Sequence, residues 1–134
     1  MNTLIYFEIQ SSQPQREIAF YTQLFGWTFF KADELDIEYY RIITPSITGG
    51  ILKRQVAPPL EGAGTNAFTC SIQVENFDKT AERILALGGK VALEKFRVPS
   101  RCWQGYFLDP DENVFGICEI DESDDGSTDN SDTI

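Results

Sequence analysis

Residues 6–27 read YFEIQSSQPQREIAFYTQLFGW, and within this stretch the spacing of apolar residues changes from that of a strand to that of a helix. At its start, Ile5, Phe7 and Ile9 alternate with more polar residues, which is the period-two pattern of a half-buried strand. The pattern predicts a strand over residues 4–10, with one face in the core and the other face free for chemistry.

The second half of the stretch predicts a helix over about residues 13–25. Its apolar stripe, spaced i, i+3 and i+7, consists of Ile18, Tyr21 and Phe25. Ser12 and Gln15 have the spacing of a capping box, in which each side chain binds a free backbone N–H at the start of a helix. Pro14 suits the first turn, and Gly26 is expected to end the helix.

The chain repeats this plan in its second half. The shift that places Ile9-Gln10 on Ile72-Gln73 also places Leu24 on Leu87 and Gly26 on Gly89. In each copy a strand leads into a helix, a glycine ends the helix, and shorter strands follow. A duplicated unit of this kind, called the internal repeat below, predicts two equivalent modules.

Three further strands are predicted in each module. They lie at 27–31, 38–43 and 50–53 in the first module, and at 90–96, 101–108 and 113–119 in the second. The second module opens with a strand whose apolar face is Cys70, Ile72 and Val74, followed by a helix over about 77–88. A hairpin turn at 109–112 is predicted to join the last two strands.

The pattern predicts one domain over residues 1–120, followed by a tail. Module one covers about 3–54, a Pro- and Gly-rich connector covers 55–66, and module two covers about 67–120. Residues 121–134 contain mostly Asp, Ser, Thr, Gly and Asn, which is too polar a composition to pack. An acidic, disordered tail is therefore expected.

The net charge of −10 belongs mainly to this end of the chain. Residues 119–134 contain seven of the 21 acidic residues and no Lys or Arg, so residues 1–118 carry a charge of only about −3. Nothing resembles a basic stripe that would neutralise phosphates, which argues against a nucleic-acid partner. No apolar run approaches the roughly 18 residues that cross a bilayer, so no membrane association is expected.

The cysteines and the start of the chain bear on the compartment. Cys70, Cys102 and Cys118 cannot all pair within one chain, and none has the spacing of a metal knuckle. They are interpreted as free thiols. The sequence MNTLIYFEIQ has no basic segment, no long apolar segment and no cleavage site of a secretory signal. A cytoplasmic location is expected.

Three strings together carry a family resemblance: YFEIQSSQPQREIAFYTQLFGW, IQVENFDKTAERILALGGKV and YFLDPDENVFGICE. In this order and at this spacing they resemble the two halves of small members of the vicinal-oxygen-chelate superfamily, which contains glyoxalases, bleomycin-resistance proteins and extradiol dioxygenases. The resemblance covers about residues 3–120. It implies an α+β fold in which two βαβββ modules form an incomplete barrel with a concave cleft.

Metal-dependent members of this superfamily bind a divalent ion through His, Gln or Glu, one from the first and one from the last strand of each module. Carried over by motif, those positions fall on Tyr6, Lys53, Thr69 and Gly116, which also obey the internal repeat. None of these residues is a metal ligand of the usual kind, and the chain has no histidine. The resemblance therefore implies a cleft without a bound metal, and no cofactor is expected.

One residue departs from the family pattern in the last hairpin. Glu112 stands where family members usually have glycine, which tolerates a positive φ at little cost. A side chain there predicts strain or a different turn, and the register of the last strand, hence the placement of Gly116, depends on it.

The residues expected to line the cleft and contact a ligand are Tyr6, Glu8, Lys53, Thr69, Ser71, Trp103 and Tyr106. Glu8 has two interpretations. It is either a solvated or Lys53-paired carboxylate, or a general acid or base whose pKa is raised by the cleft. The aromatic residues either stack on a ligand or belong to the core, and strand alternation directs only one of Tyr39 and Tyr40 toward the cleft.

Three functions remain open at this point. The first is a metal-free protein that binds or senses a small molecule, of unknown identity. The second is a glyoxalase-like lyase or isomerase that uses an unusual metal site or Glu8 as acid or base. The third is an interaction module that acts through its tail or a dimer surface. The resemblance also implies a homodimer.

Overall fold

The structure, a computed structural model, describes residues 2–61, 63 and 67–123. The part of the predicted acidic tail beyond residue 123, and residues 62 and 64–66 of the predicted connector, lie outside the described residues. In the described connector, residues 55–61 and 63 form no helix or strand. No helix of the described ranges is both long enough and apolar enough to cross a membrane.

The first module contains four strands and one helix. They are β1 (Tyr6–Ser11), α1 (Pro14–Phe25), β2 (Thr28–Lys31), β3 (Tyr39–Ile43) and β4 (Thr48–Lys53). The strands form one sheet in the order β1-β4-β3-β2. β1 is parallel to β4, and the other pairs are antiparallel. This is a βαβββ module, as the sequence predicts.

The second module repeats the first. Its elements are β5 (Ser71–Gln73), α2 (Phe77–Ala86), β6 (Lys90–Val98), β7 (Cys102–Leu108) and β8 (Val114–Ile120). The strand order β5-β8-β7-β6 matches that of the first sheet, with β5 parallel to β8. The predicted α+β fold of two βαβββ modules is thus confirmed. The chain divides into two compact units, one with β1–β4, α1 and Pro110–Asn113, the other with the rest of the second module.

The core of the first unit lies between its sheet and α1. Its buried centre is formed by Tyr40, Ile42 and Ile51, and the partly buried side chains around it are Phe7, Ile9, Ile18, Trp27 and Phe29. Phe7 and Ile9 therefore face the helix, as the alternation predicts. Ile5 does not join them, because it precedes β1 and is exposed.

The start of α1 differs from the predicted capping box. Gln13 is the N-cap residue and makes no side-chain cap. Ser12 instead donates its hydroxyl to Asp111, far along the chain. The neighbouring Ser11 accepts the backbone N–H of Gln13 at 2.9 Å, so a hydroxyl still satisfies a free donor at this end. Gly26, at φ +74°, ends the helix as expected.

A buried polar cluster lies at this end of α1 within the first unit. Asp111 is 3% exposed, and its carboxylate accepts hydrogen bonds from the Ser12 backbone N–H at 3.1 Å, from Arg16 at 2.5 Å and from Arg54 at 2.5 Å. Burial alone would raise the pKa of Asp111, but the hydrogen bonds from Arg54 and Ser12 outweigh burial and lower it. The carboxylate is therefore held in its charged form.

The core of the second unit lies between its sheet and α2. Its buried side chains include Phe77, Ile84, Phe107, Phe115 and Ile117. At the start of α2, Asn76 accepts the backbone N–H of Lys79 at 2.9 Å, and Glu119 accepts that of Phe77 at 2.7 Å. Cys70 was predicted on the apolar face of the first strand, but it precedes β5 and is exposed. The predicted strand is shorter than its pattern suggests.

The turn between β7 and β8 contains Glu112 at φ +67°. This conformation favours glycine, because a Cβ crowds the backbone there. We expect the free energy of unfolding of Glu112→Gly to be about 1 kcal/mol higher than that of Glu112→Ala. Both changes remove the Glu112 carboxylate and its contacts, but only glycine relieves the strain. Urea denaturation of the two variants checks this. Equal stabilities would show that the turn stores no strain at this residue.

Candidate functional site

The face of the first sheet that points away from α1 carries a group of polar side chains. In the register of the sheet, Glu8 of β1 pairs with Gly50 of β4, and Gly50 pairs with Arg41 of β3. Paired residues project from the same face of a sheet, and residues two apart share that face. Tyr6 and Tyr39 therefore project on the same side as Glu8. This side is called the polar face below.

A chain of hydrogen bonds connects three of these side chains. The Tyr39 hydroxyl donates to Glu8 Oε2 at 2.7 Å, and the hydroxyls of Tyr6 and Tyr39 are 2.8 Å apart. A phenol has one proton, and that of Tyr39 is used on the carboxylate. Tyr6 must therefore donate to the Tyr39 oxygen, so the chain of donors ends at Glu8.

Tyr39 is held as a donor by its surroundings. The residue is 6% exposed. Burial first, and then the hydrogen bonds with Tyr6 and Glu8, raise the pKa of Tyr39. The phenol therefore stays protonated across the physiological range and keeps the proton that it donates to Glu8.

Gly50 leaves the space that the Tyr39 ring occupies. A Cβ at position 50 would overlap the Tyr39 hydroxyl oxygen and the ring carbon that bears it. Close packing leaves no room for such an overlap, so a larger residue would displace the ring. The glycine thus permits the contact between Tyr39 and Glu8.

Arg41 is the other charged residue of this face in β1, β3 and β4. Its guanidinium pairs with Glu34 at 2.8 Å and lies 5.8 Å from the centre of the Tyr39 ring. The hydrogen bond with Glu34 raises the pKa of Arg41. The Tyr6 hydroxyl also contributes to this rise, so Arg41 interacts with Glu34 and Tyr6, and it forms no ion pair with Glu8 in the described residues.

Lys53 does not join this group. It pairs with Ser11 in the register, and the Ser11 hydroxyl donates to Glu17 of α1. Because paired residues share a face, Lys53 projects on the helix side of the sheet, away from Glu8. The expected pairing of Lys53 with Glu8 is therefore absent from the described residues, and Tyr39 takes its place.

The corresponding face of the second sheet is smaller and neutral. Gln104 donates to the Ser71 hydroxyl at 3.0 Å, and Tyr106 stacks on Phe96 with ring centres 6.4 Å apart. Gly116 pairs with Ser71 and Tyr106 and leaves room for both side chains. Thr69 precedes β5 and is exposed. Ser71 and Tyr106 are thus brought together, and Thr69 lies outside the strand.

Trp103 projects on the opposite side of this second sheet, with Phe107 and α2. Lys95 lies 4.7 Å and Arg97 lies 5.1 Å from its ring centre. Its indole N–H donates to Asp121 at 3.3 Å. Alternation with Gln104 explains the placement, and Trp103 contacts two cations on the helix side instead of lining the face of Ser71 and Tyr106.

Lys53 and Gly116 are not equivalent in the two sheets. Glu8 and Ser71 match in the internal repeat, and they pair with Gly50 and Gly116 respectively. Gly116 is therefore the counterpart of Gly50, not of Lys53. The repeat holds for the first strands but is offset at the last strands, because the segments between the first and last strands differ in length.

The donor set does not fit the divalent ion of the metal-dependent relatives. Within residues 2–61, 63 and 67–123, no three His, Cys, Asp or Glu side chains lie close enough together to hold a metal. On the polar face the only carboxylate of β1, β3 and β4 is Glu8, and Glu119 is used on the backbone of α2. One carboxylate and two neutral phenols make a poor site for a transition metal.

Sequence reasoning placed Tyr6 and Glu8 on one face of β1, left the choice between Tyr39 and Tyr40 open, and missed Gly50. Tyr39 was one of two candidates, and the side of the sheet on which it lies depends on the register of β3. The role of Gly50 had a signal in the pair Gly49-Gly50, because glycine inside a strand often marks a close approach. The residue that approaches could not be read from the sequence.

Comparison with known sequences gives one family match and two related curated proteins. The model of the glyoxalase-like domain family matches residues 6–118. The CFP32 proteins of Mycobacterium bovis and Mycobacterium tuberculosis are named as proposed glyoxylases. They are 27% identical to this chain over 117 residues. The match covers 86% of this chain and 43% of CFP32. The chain therefore spans less than half the length of these relatives.

Solved structures share the fold at low identity. The fosfomycin resistance protein FosX of Listeria monocytogenes superposes with a TM-score of 0.71 at 18% identity, covering 88% of this chain and 91% of FosX. A glyoxalase/bleomycin resistance/dioxygenase family enzyme of Burkholderia phytofirmans superposes with a TM-score of 0.68 at 20% identity. The superposition covers 86% of this chain and 96% of that enzyme. Another FosX structure contains Mn(II) and sulfate. At these identities the likeness concerns the fold alone.

Proposed function

We propose a metal-free binding role for this chain, which belongs to the glyoxalase-like domain family within the vicinal-oxygen-chelate superfamily. In this proposal it binds a small molecule on the polar face of its first sheet. The family match covers residues 6–118. The proposed contact residues are the exposed Tyr6 and Glu8, and the buried Tyr39 positions Glu8. Tyr6, which falls on one of the family's ligand positions, is a phenol, and the one carboxylate beside it is Glu8, which supports binding without a metal.

The observation that carries this proposal is the hydrogen-bond chain from Tyr6 through Tyr39 to Glu8. A buried phenol fixed to a carboxylate, beside a glycine that makes room for it, is a rigid polar arrangement. Rigid polar groups beside apolar surface are typical of sites that orient a ligand. Glu8 itself is exposed, so its second oxygen is accessible to a ligand from solvent.

The second candidate is an enzyme in which Glu8 acts as general acid or base. The open oxygen of Glu8 favours it, because a carboxylate oriented by one hydrogen bond can exchange a proton with a substrate at its other oxygen. The name of CFP32 proposes that it is a glyoxylase, but CFP32 is more than twice as long as this chain. Turnover that is lost in Glu8→Gln while affinity is retained would favour the enzyme.

Two further parts of the proposal concern the setting of the protein. A cytoplasmic location is supported by Cys70, Cys102 and Cys118, none of which forms a disulfide. A homodimer is supported by the family resemblance and by exposed apolar side chains such as Val91 and Leu93 of β6. Light scattering at several concentrations measures the mass of the particle. A monomer at all of them would remove the dimer from the proposal.

A pair of adjacent tyrosines tests the site directly. Tyr39 donates to Glu8 on the polar face, and Tyr40 donates to Glu38 at 2.9 Å on the helix side. Each Tyr→Phe change removes one hydroxyl and is expected to lower the free energy of unfolding by about 1 kcal/mol. Only Tyr39→Phe is expected to weaken fragment binding, by about threefold to tenfold, because it releases Glu8.

The measurement is a fragment screen by saturation-transfer NMR, followed by titration of the hits with both variants. Hits that bind Tyr40→Phe as they bind the wild type, and bind Tyr39→Phe more weakly, support the site. Hits that respond equally to both changes, or to neither, place binding elsewhere and reject the polar face.

A further inference from the structure

We infer that the ligand presents a positively charged hydrogen-bond donor, a protonated amine, to Glu8, next to an aromatic or aliphatic group. The inference rests on the proposed function and adds the chemical class of the ligand. Three observations carry it: the direction of the hydrogen bonds, the charges on the polar face, and the apolar side chains beside it.

The direction of the hydrogen bonds leaves acceptors at the open end of the chain. The proton of Tyr6 is used on Tyr39, and the proton of Tyr39 is used on Glu8. Glu8 accepts this one side-chain hydrogen bond among the described residues, and its second oxygen remains available. An ionised carboxylate only accepts. A ligand that docks here must therefore donate, and an anionic group would meet a carboxylate without a proton to offer.

The charges of the face give the same answer. Arg41 is paired with Glu34 and forms no ion pair with Glu8 among the described residues. Lys31 pairs with Tyr40 and Lys53 pairs with Ser11, which places both lysines on the helix side of the sheet. Glu8 is therefore the one charge on this face of β1–β4 that has no counter-ion in the described chain. A cationic ligand would supply this counter-ion. It would also form a charge-assisted hydrogen bond, which is about twice as strong as a neutral one.

The apolar part of the ligand is indicated by the row across the sheet. Glu8 pairs with Gly50, Gly50 with Arg41, and Arg41 with Phe30, so these residues follow one another across four strands spaced roughly 4.8 Å apart. Phe30 is 54% exposed and Ile43 is 44% exposed on the same face. The Tyr39 ring lies beside Gly50, and the Arg41 guanidinium is 5.8 Å from the centre of this ring. A molecule with an ammonium group at one end and a flat apolar body matches this order.

The test uses three probes with one ring system and different charges: tryptamine, tryptophol and indole-3-acetate. Each is titrated into ¹⁵N-labelled protein, and the amide shifts of β1, β3 and β4 are followed. Tryptamine is expected to bind this face with a dissociation constant about tenfold lower than that of indole-3-acetate, with tryptophol between them.

The matched variants are Glu8→Gln and Glu38→Gln. Each removes one negative charge from a carboxylate that accepts a tyrosine hydroxyl, the first on the polar face and the second on the helix side. Glu8→Gln is expected to raise the dissociation constant of tryptamine about tenfold and to change that of tryptophol by less than about twofold. Glu38→Gln is expected to change neither dissociation constant. Thermal melting confirms that both variants are folded.

Three results would overturn the inference. The first is no shift of this face by tryptamine, whatever other fragments bind. The second is an affinity for indole-3-acetate equal to that for tryptamine, and the third is tryptamine binding that survives Glu8→Gln. The proposed function is judged separately by the fragment screen. Neutral or anionic fragments that bind the polar face would leave the proposed function standing and reject only the amine.

Discussion

Replacing Asp111 by alanine is expected to lower the free energy of unfolding by about 3–5 kcal/mol, the range typical of a broken buried ion pair. The carboxylate is 3% exposed and accepts from Ser12, Arg16 and Arg54, whose side chain is itself only 10% exposed. The change leaves Arg54 with its charge largely out of water and without Asp111 to balance it. The loss comes mainly from this uncompensated cation.

The matched control is Asp78→Ala. Asp78 forms an ion pair with Lys95 at 3.1 Å, but its side chain is 75% exposed. An exposed pair contributes at most about 1 kcal/mol, so this variant should unfold nearly as the wild type does. Urea denaturation of both variants gives the comparison. Similar losses for Asp111→Ala and Asp78→Ala would show that the buried cluster does not stabilise the fold.

The same carboxylate predicts a dependence on pH. The pKa of Asp111 is lowered in the folded protein, because the hydrogen bonds from Arg54 and Ser12 outweigh its burial. Its contribution is therefore complete above the ordinary aspartate pKa of about 4, and it is lost as the pH falls through the lower folded value. The stability difference between wild type and Asp111→Asn should be constant near neutrality and shrink below about pH 4. A difference that grows on acidification would contradict this.

Replacing Gly50 by valine is expected to abolish binding at the polar face and to cost about 1–3 kcal/mol of stability, the range for overpacking. The new Cβ would occupy the space of the Tyr39 ring and its hydroxyl oxygen. The ring must leave, and its hydrogen bonds to Glu8 and Tyr6 break. Dissociation constants of the fragments should rise by more than about tenfold.

Thr48→Val is the control for this change. Thr48 lies on the same strand and the same face as Gly50, pairs with Tyr6 and is exposed. It gains no Cβ, so stability and affinity should stay close to those of the wild type. Fragment titrations and urea denaturation measure both effects. Unchanged affinity in Gly50→Val would mean that the position of Tyr39 does not matter for binding.

Most of the fold was predictable because it rests on local patterns. The alternation around Phe7 and Ile9 placed β1 and its buried face, and the spacing before Gly26 placed α1. The internal repeat then predicted the second module. These signals depend on residues that are close in sequence, where the period of a strand or a helix determines the buried face.

The parts that failed depend on partners distant in sequence. Ser12 had a local signal for a capping box, but its hydroxyl is used on Asp111 near the other end of the chain. Lys53 and Gly116 match in the internal repeat, yet the strand register makes Gly50 the counterpart of Gly116. A change of one residue in register moves a side chain to the other face.

The candidate site was predictable only in part for the same reason. Tyr6 and Glu8 followed from the alternation in β1. Tyr39 required the register of β3, which decides between it and Tyr40. Trp103 lies on the helix side of its sheet, where aromatic residues of strands commonly pack in or near the core.

The most direct test of metal-free binding at the polar face is a fragment titration of ¹⁵N-labelled, untagged protein after treatment with a chelator, repeated after loading with nickel, zinc, manganese and iron. We expect shifts concentrated in β1, β3 and β4 around Tyr6, Glu8 and Tyr39, with the same affinity in the treated and the loaded samples. Binding that requires one of the metals, or shifts confined to other parts of the chain, would contradict the proposal.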